Sequence, residues 1–298
     1  MPFTQFCLQN KIAFKKDEIM KAHTSFKIGG KADFFVSPKN ADELKAVICE
    51  LKRLNMPYFV IGKGSNLLVS DEGIEGAVIS LSEFDKIEVN NKTVTVGAGV
   101  SLARLCTSAR DNSLSGVEFA YGIPGSVGGA LYMNAGAYGG EMSQVVVSAT
   151  VLTKDGEVQE IDAKDMALGY RTSIFKTSGA IILSAKFALE TKNIAEITAQ
   201  MDELLGRRVD KQPLEYPSAG STFKRPTGYF AGALIEQNNL KGVSVGGAQV
   251  SEKHAGFVIN YDNATANDVL ALMQKITDTV LEKDGVKLEP EVIFVGRK

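Results

Sequence analysis

Two stretches of this chain offer bare backbone where a phosphate could sit. The first is Gly62-Lys63-Gly64-Ser65-Asn66, which directly follows the strand-like Pro57–Ile61. Its glycines, with Ser65 and Asn66, can curve into a concave nest of N–H groups suited to a pyrophosphate. The second is Gly116–Gly140, which holds 8 of the 29 glycines and a single charge, Glu118. Within it Gly122-Ile123-Pro124-Gly125-Ser126 reads as a turn feeding a short helix through Gly129 and Ala130, and an anion is favoured at a helix N-terminus. Each stretch also has a plain structural reading: a turn held by Ser and Asn side chains for the first, a tightly packed helix of small residues for the second. Neither is a Rossmann turn. G-x-G-x-x-G opening a helix would need glycine at Leu67, and Leu67–Ser70 reads as extended.

The elements that must position these loops follow from periodicity. A short N-terminal helical segment precedes a strand over 32–38. Asn40 then caps a helix with Leu44, Val47, Ile48, Leu51 and Leu54 on one face, and Pro57–Ile61 completes a βαβ unit. Further on come a strand over 77–81, a hairpin of 86–89 with 93–96, a helix near 101–111, a hairpin of 145–153 with 157–161, a brief helix over 163–168, a strand over 180–189 and a helix over 194–209. Pro213 to Pro217 breaks the pattern and sets a boundary near 190–210. Beyond it the pattern predicts a helix over 229–238, a strand over 243–250 broken at Gly246-Gly247, a strand over 256–260, a long amphipathic helix over 264–284, and a last strand over 288–296 with a carboxylate at its start. The fold class is therefore α+β.

Charge is nearly balanced, with 33 basic and 35 acidic residues, so no basic surface for nucleic acid is expected. Cys7, Cys49 and Cys106 form neither a disulfide framework nor a C-x-x-C, and His23 and His254 are too few for an imidazole cluster, so no metal is expected. The N-terminus lacks a basic segment followed by an apolar core, and no long uncharged apolar run occurs; a cytoplasmic protein without a membrane partner is the expectation.

Taken in series, His23-Thr-Ser-Phe-Lys-Ile-Gly-Gly30, Gly62–Asn66, Gly122–Ser126 with Asn134-Ala-Gly-Ala-Tyr138, Gly169-Tyr-Arg-Thr-Ser173, Ala219-Gly-Ser221 and Glu289-Pro-Glu291 resemble the UDP-N-acetylenolpyruvoylglucosamine reductases, flavoenzymes of bacterial cell-wall synthesis. The resemblance covers nearly the whole chain. It implies the FAD-binding fold of the p-cresol methylhydroxylase/vanillyl-alcohol oxidase type, with two α+β subdomains over 1–80 and 81–195, a third α+β substrate domain over 205–285, and a C-terminal strand over 286–298. It implies non-covalent FAD, its pyrophosphate held by Gly62, Lys63, Gly64, Ser65 and Asn66 and by Gly122, Ile123, Pro124, Gly125, Ser126, Gly129 and Ala130. It also implies NADPH as co-substrate, and a monomer. No room exists between 189 and 194 for an inserted loop, so the chain resembles the shorter type, which lacks a substrate-covering tyrosine.

The implied reaction sends hydride from NADPH through flavin to the enolpyruvyl ether of UDP-N-acetylglucosamine, giving UDP-N-acetylmuramate. Charge developing on an enolate calls for a fixed cation, and Arg171 occupies the family's position. By the same resemblance Ser221 is the general acid that protonates carbon, Glu291 polarises the enol with the arginine, and Lys211 and Arg225 meet the substrate diphosphate. Two other readings remain: a flavin oxidase of the same fold, marked by a covalent flavin, and a non-catalytic nucleotide-sugar binder.

Overall fold

Asn40 opens its helix as the spacing predicts: Oδ1 accepts the amide of Glu43, the helix runs Ala41–Arg53, and Leu44, Val47, Ile48 and Leu51 are buried. Asp42 and Glu43 in its first turn and Lys52 and Arg53 in its last suit the helix dipole. The structure, a computed structural model, describes residues 2–297. The chain gathers into two units. One takes the chain up to Lys16, Phe34–Lys63 and Gly76–Arg207; the other takes Asp17–Asp33, Gly64–Glu75 and the chain from Arg208 on.

The first unit is built on a five-stranded antiparallel sheet, ordered Val158–Asp162, Val146–Leu152, Ile181–Ala188, Thr93–Gly97, Ile87–Asn90. Thr93–Gly97 alternates half-buried and buried residues, so Val94 and Val96 turn inward with Ala149, Val151, Ala185 and Phe187. The helices Leu102–Asp111 and Val127–Tyr132 add Leu102, Leu105, Val127 and Leu131 to that core. In a separate sheet the order is Ala13–Ile19, Lys31–Ser37, Ile74–Ser80, Tyr58–Ile61, and Tyr58–Ile61 lies parallel to Ile74–Ser80. The βαβ crossover from Lys31–Ser37 to Tyr58–Ile61 thus spans one intervening strand. Ala13–Ile19 was hidden in the sequence because Lys15, Lys16, Asp17 and Glu18 leave it no apolar face, which an edge strand tolerates.

The second unit holds its own core of Phe26, Ile28, Leu68, Leu234, Ile235, Val269, Leu272, Ile276 and Val280. A three-stranded antiparallel sheet, Ser244–Val245, Ala248–Val250 and Val258–Asn260, packs with the helices Ala231–Gln237 and Ala266–Asp284. The long helix starts in a capping box: Thr265 Oγ1 accepts the Asp268 amide, and the Asp268 carboxylate accepts the Thr265 amide. Asp71 also accepts the amides of Ala266 and Asn267. Gly285, at φ +68°, ends it.

Two expected elements are shorter than the pattern suggested. Only Ile293–Val295 of 288–296 is strand, lying parallel to Leu67–Val69; before it, 289–291 pairs instead with 222–224 through a bridge of Pro290 to Phe223, so Glu291 sits before the strand. The helix over 163–168 shrinks to a 3-10 turn, Ala163–Asp165, and Ala167 turns to φ +47°. Among the described residues no helix is long and apolar enough to cross a membrane, and no group of His, Cys, Asp and Glu could hold a metal ion.

Thr265→Ala is expected to cost about 1 kcal/mol of stability, read as a lower urea midpoint. The Thr265 amide and hydroxyl and the Gly247 amide hold the Asp268 carboxyl below its ordinary value of 3.8. A depressed pKa stabilises the fold above that value, and the contribution is lost as pH falls through the lowered one. Asp268→Asn should therefore lower the midpoint at pH 7 and narrow the gap to wild type in acid; an equal gap at both pH values would remove the carboxylate from this role.

Candidate active site

In the first unit Gly62, where the first glycine-rich turn begins, comes up against Ser126 of the second. Gly62 is exposed and has so little room that a Cβ would lie 2.3 Å from Ser126 Oγ. Ser126 caps the short helix Val127–Tyr132 by accepting the Gly129 amide at 3.4 Å. Among the described residues, no amide from Gly62 to Asn66 donates to a protein acceptor, so this loop keeps its N–H groups open. The second turn differs from the expectation that Ile123–Gly129 would present its amides. Ile123 donates to Ala120 O, Gly125 to Ile123 O, Val127 to Val100 O, Gly128 to Ala98 O and Ala130 to Ser126 O. That leaves Gly122, Ser126 and the weakly held Gly129 as its donors. Pro124 and Gly129 are exposed, and Ala130 is buried.

Part of Gly116–Gly140 also serves packing. A Cβ on Gly128 would meet Ala98 Cβ at 2.9 Å, and one on Gly140 would meet the Phe119 ring at 2.5 Å. Both glycines permit close approach.

Arg171 sits in the same unit, on a two-residue turn. Gly169 and Thr172 exchange backbone hydrogen bonds of 3.1 and 3.2 Å, leaving Tyr170 and Arg171 at the tip. Arg171 takes φ +54°, a left-handed conformation unusual for a side-chain-bearing residue. Its guanidinium carbon lies 5.1 Å from the Tyr170 ring centroid, and Lys176 Nζ donates to its carbonyl at 2.6 Å.

Ser221, Asn66 and Glu291 are brought together in the second unit. The Glu291 amide donates to Thr222 O at 2.8 Å, so Glu291 and Ser221 lie on paired backbone segments, with Phe223 and Pro290 bridged beside them. Asn66 Nδ2 donates to Glu291 O at 3.1 Å, and Asn66 O accepts the Ile293 amide. Gly64, at φ +61°, has no room for a side chain, since a Cβ would meet His23 O at 2.1 Å. Gly220 takes φ +78° with nothing near its missing Cβ, so it is glycine for conformation rather than packing. Ser221 is exposed, and among the described residues its hydroxyl has no protein partner. Lys211 lies exposed at the end of the helix Ile194–Lys211, and the Arg225 guanidinium lies 4.0 Å over the Phe230 ring. Lys63 is exposed and Ser65 half-buried.

Three supporting residues escaped the sequence reading. Buried Thr222 spends every polar atom: its amide donates to Gly256 O, its carbonyl accepts from Glu291, and its Oγ1 accepts the Val258 amide. Ser25 ties two loops, its amide donating to Gly64 O and its hydroxyl to Ser218 O at 2.6 Å. His254 Nδ1 accepts the Gly256 amide at 3.0 Å, and burial holds its pKa below the ordinary 6.5, which keeps that nitrogen an acceptor. No residue type marked these three, because a lone Thr, Ser or His has many uses.

Comparison with known proteins places this geometry. Residues 32–162 match the family model "FAD binding domain", and residues 212–295 match "UDP-N-acetylenolpyruvoylglucosamine reductase, C-terminal domain". A UDP-N-acetylenolpyruvoylglucosamine reductase of Agathobacter rectalis is 52% identical, across 96% of this chain and 95% of its own length. The chain belongs to the UDP-N-acetylenolpyruvoylglucosamine reductase family. The crystal structure of the reductase from Thermus caldophilus superposes with a TM-score of 0.82 at 35% identity, covering 95% of this chain and 98% of that one. Physcomitrella patens BBE-like 1, at 15% identity and a TM-score of 0.50 over 64% of this chain and 45% of its own, shares the fold alone. The fold is thus the FAD-binding one of the p-cresol methylhydroxylase/vanillyl-alcohol oxidase type, and this reductase-family chain is an FAD-containing oxidoreductase.

The residues present fit the flavin's diphosphate. The open amides of Gly62–Asn66 are the right donors, and the bare Cα of Gly62 lets the two turns close on one another. Gly62→Ala must push Ser126 Oγ off the Gly129 amide. It is expected to lower the flavin-to-protein absorbance ratio of the purified protein; full flavin content would show that the approach of the turns is dispensable.

Proposed function

We propose that this chain reduces the enolpyruvyl ether of UDP-N-acetylglucosamine-enolpyruvate to UDP-N-acetylmuramate, with NADPH as donor and FAD held without a covalent link. The observation that carries the reading beyond family membership is the Glu291 to Thr222 backbone bond, which sets an exposed, unpartnered serine hydroxyl beside a carboxylate-bearing segment. A binding-only protein would need neither.

Bound FAD would supply the hydride chemistry, accepting from NADPH and giving to the terminal vinyl carbon. The chain's own residues answer the charge that then develops. The Arg171 guanidinium neutralises the enolate formed on the neighbouring carbon and its carboxylate. Ser221 gives its proton to that carbon. A free serine is a poor acid, so the step relies on the basicity of the enolate and on a hydroxyl that no acceptor among the described residues holds. Glu291 acts with Arg171 in polarising the enol. Lys211 serves as a point charge for the substrate diphosphate, and Arg225 adds planar donors on the face of Phe230. Residues 205–285 supply the substrate-binding part, residues 1–80 and 81–195 the flavin-binding subdomains, and residues 286–298 the segment bearing Glu291. NADPH and substrate use one site in turn, in a monomeric cytoplasmic enzyme.

Visible absorbance tests this directly. The yellow protein should bleach on anaerobic NADPH and recover its colour on adding the enolpyruvyl sugar nucleotide; a protein that cannot be loaded with FAD would sink the proposal. Ser221→Ala should leave bleaching intact and slow recovery by about 100-fold or more. Equal loss in both half-reactions would take the proton-donor role away from Ser221.

A further inference from the structure

Asn134 lies at the far end of the short helix that Ser126 begins, in a segment the proposed chemistry does not use. Its side chain is fully buried, and its backbone takes φ +43°. Asparagine is among the few side-chain-bearing residues that enter this region readily. Burial of an amide demands partners, and both ends have one. Oδ1 accepts the Ser143 amide at 2.9 Å, and Nδ2 donates to Gly169 O at 3.1 Å. Gly169 O is the carbonyl that also closes the Tyr170–Arg171 turn by accepting the Thr172 amide. The same helix end grips the turn's other side, where the buried Ser173 hydroxyl donates to Tyr132 O at 2.7 Å. Arg171, itself at φ +54°, is therefore presented on a strained tip anchored at both shoulders to the end of the Val127–Tyr132 helix.

A strained backbone persists only where its surroundings over-determine it. The two anchors, with Lys176 Nζ on Arg171 O, supply that determination.

We infer that Asn134 is a positioning residue for Arg171: its buried carboxamide clamps Gly169 O and so couples the stance of the cation to the helix whose opposite end meets the flavin-binding loop. The inference rests on the proposed role of Arg171. It makes a specific demand on the position, namely a residue that tolerates left-handed backbone, accepts from Ser143 and donates to Gly169. Aspartate keeps the first two and loses the third. Glycine keeps only the first.

The experiment compares flavin-loaded wild type, Asn134→Asp, Asn134→Gly, Arg171→Ala and the double variant Asn134→Asp/Arg171→Ala in the two half-reactions. Both Asn134 variants should retain flavin and bleach with NADPH within about twofold of wild type. Recovery with the enolpyruvyl sugar nucleotide should slow by about 10- to 100-fold through kcat, with KM little changed. The double variant should be no slower than Arg171→Ala, since a clamp has nothing left to position. Recovery at the wild-type rate in Asn134→Asp, or a full multiplicative loss in the double variant, overturns the inference. So does loss of flavin in both Asn134 variants, which would make the residue a structural one. If Arg171→Ala itself recovers at the wild-type rate, the role of Arg171 fails instead, independently of Asn134.

Discussion

A side chain at Gly62 would displace Ser126 Oγ, the atom that caps the Val127–Tyr132 helix: a methyl group there would lie 2.3 Å from it. This steric limit organises the first unit. It favours glycine just after the Tyr58–Ile61 strand, and it sets Gly62 against the cap of the second turn. The second turn can then be tightly packed, with the Val127 and Gly128 amides given to Val100 and Ala98, because the first loop keeps its donors free. Rigidity and ligand-ready backbone are thus divided between two segments. A single segment cannot supply both, since an amide satisfied by a carbonyl has nothing left for a phosphate.

The second unit solves a related problem with side chains. Thr222 is buried and uses its amide, carbonyl and hydroxyl internally, while its neighbour Ser221 is exposed and, among the described residues, has a hydroxyl with no partner. The buried residue anchors the segment and the exposed one is offered. Neutral His254 and its Gly256 contact stiffen the strand-side partner of Thr222, and Asn66 fastens the segment bearing Glu291. Ser221 therefore stands beside a residue tied to three neighbouring backbone groups, the kind of support that precise placement of a reacting group calls for.

Strain follows the same division. The left-handed residues Asn134 and Arg171 sit within one hydrogen-bonded assembly, whereas Gly220 provides a left-handed step where nothing packs against it. Glycine gives conformation at little steric cost, and a side-chain-bearing residue in that region needs partners to hold it.

Much of this protein was determined by the sequence alone. The Asn40 cap, the helical spacing of Leu44, Val47, Ile48 and Leu51, the alternation over Thr93–Gly97 and the turn at Gly246 are local signals, and local interactions produce the elements they announce. The serial motifs led to the reductase family, which the match across 96% of the chain bears out. Other features depended on contacts between residues far apart in the chain. Ala13–Ile19 becomes a strand only because a neighbour pairs with it, and the last strand is short because 289–291 pairs with 222–224 rather than with the partner of Ile293–Val295. Which amides stay open could not be read from glycine content, for Gly62 and Gly128 are equally bare and only the position of Val100 and Ala98 separates a donor from a packed contact. Asn134, Thr222 and Ser25 owe their importance to carbonyls and amides brought to them by the fold. Hydrogen-bond partners are set by tertiary geometry, and residue type fixes only what a side chain is able to give or accept.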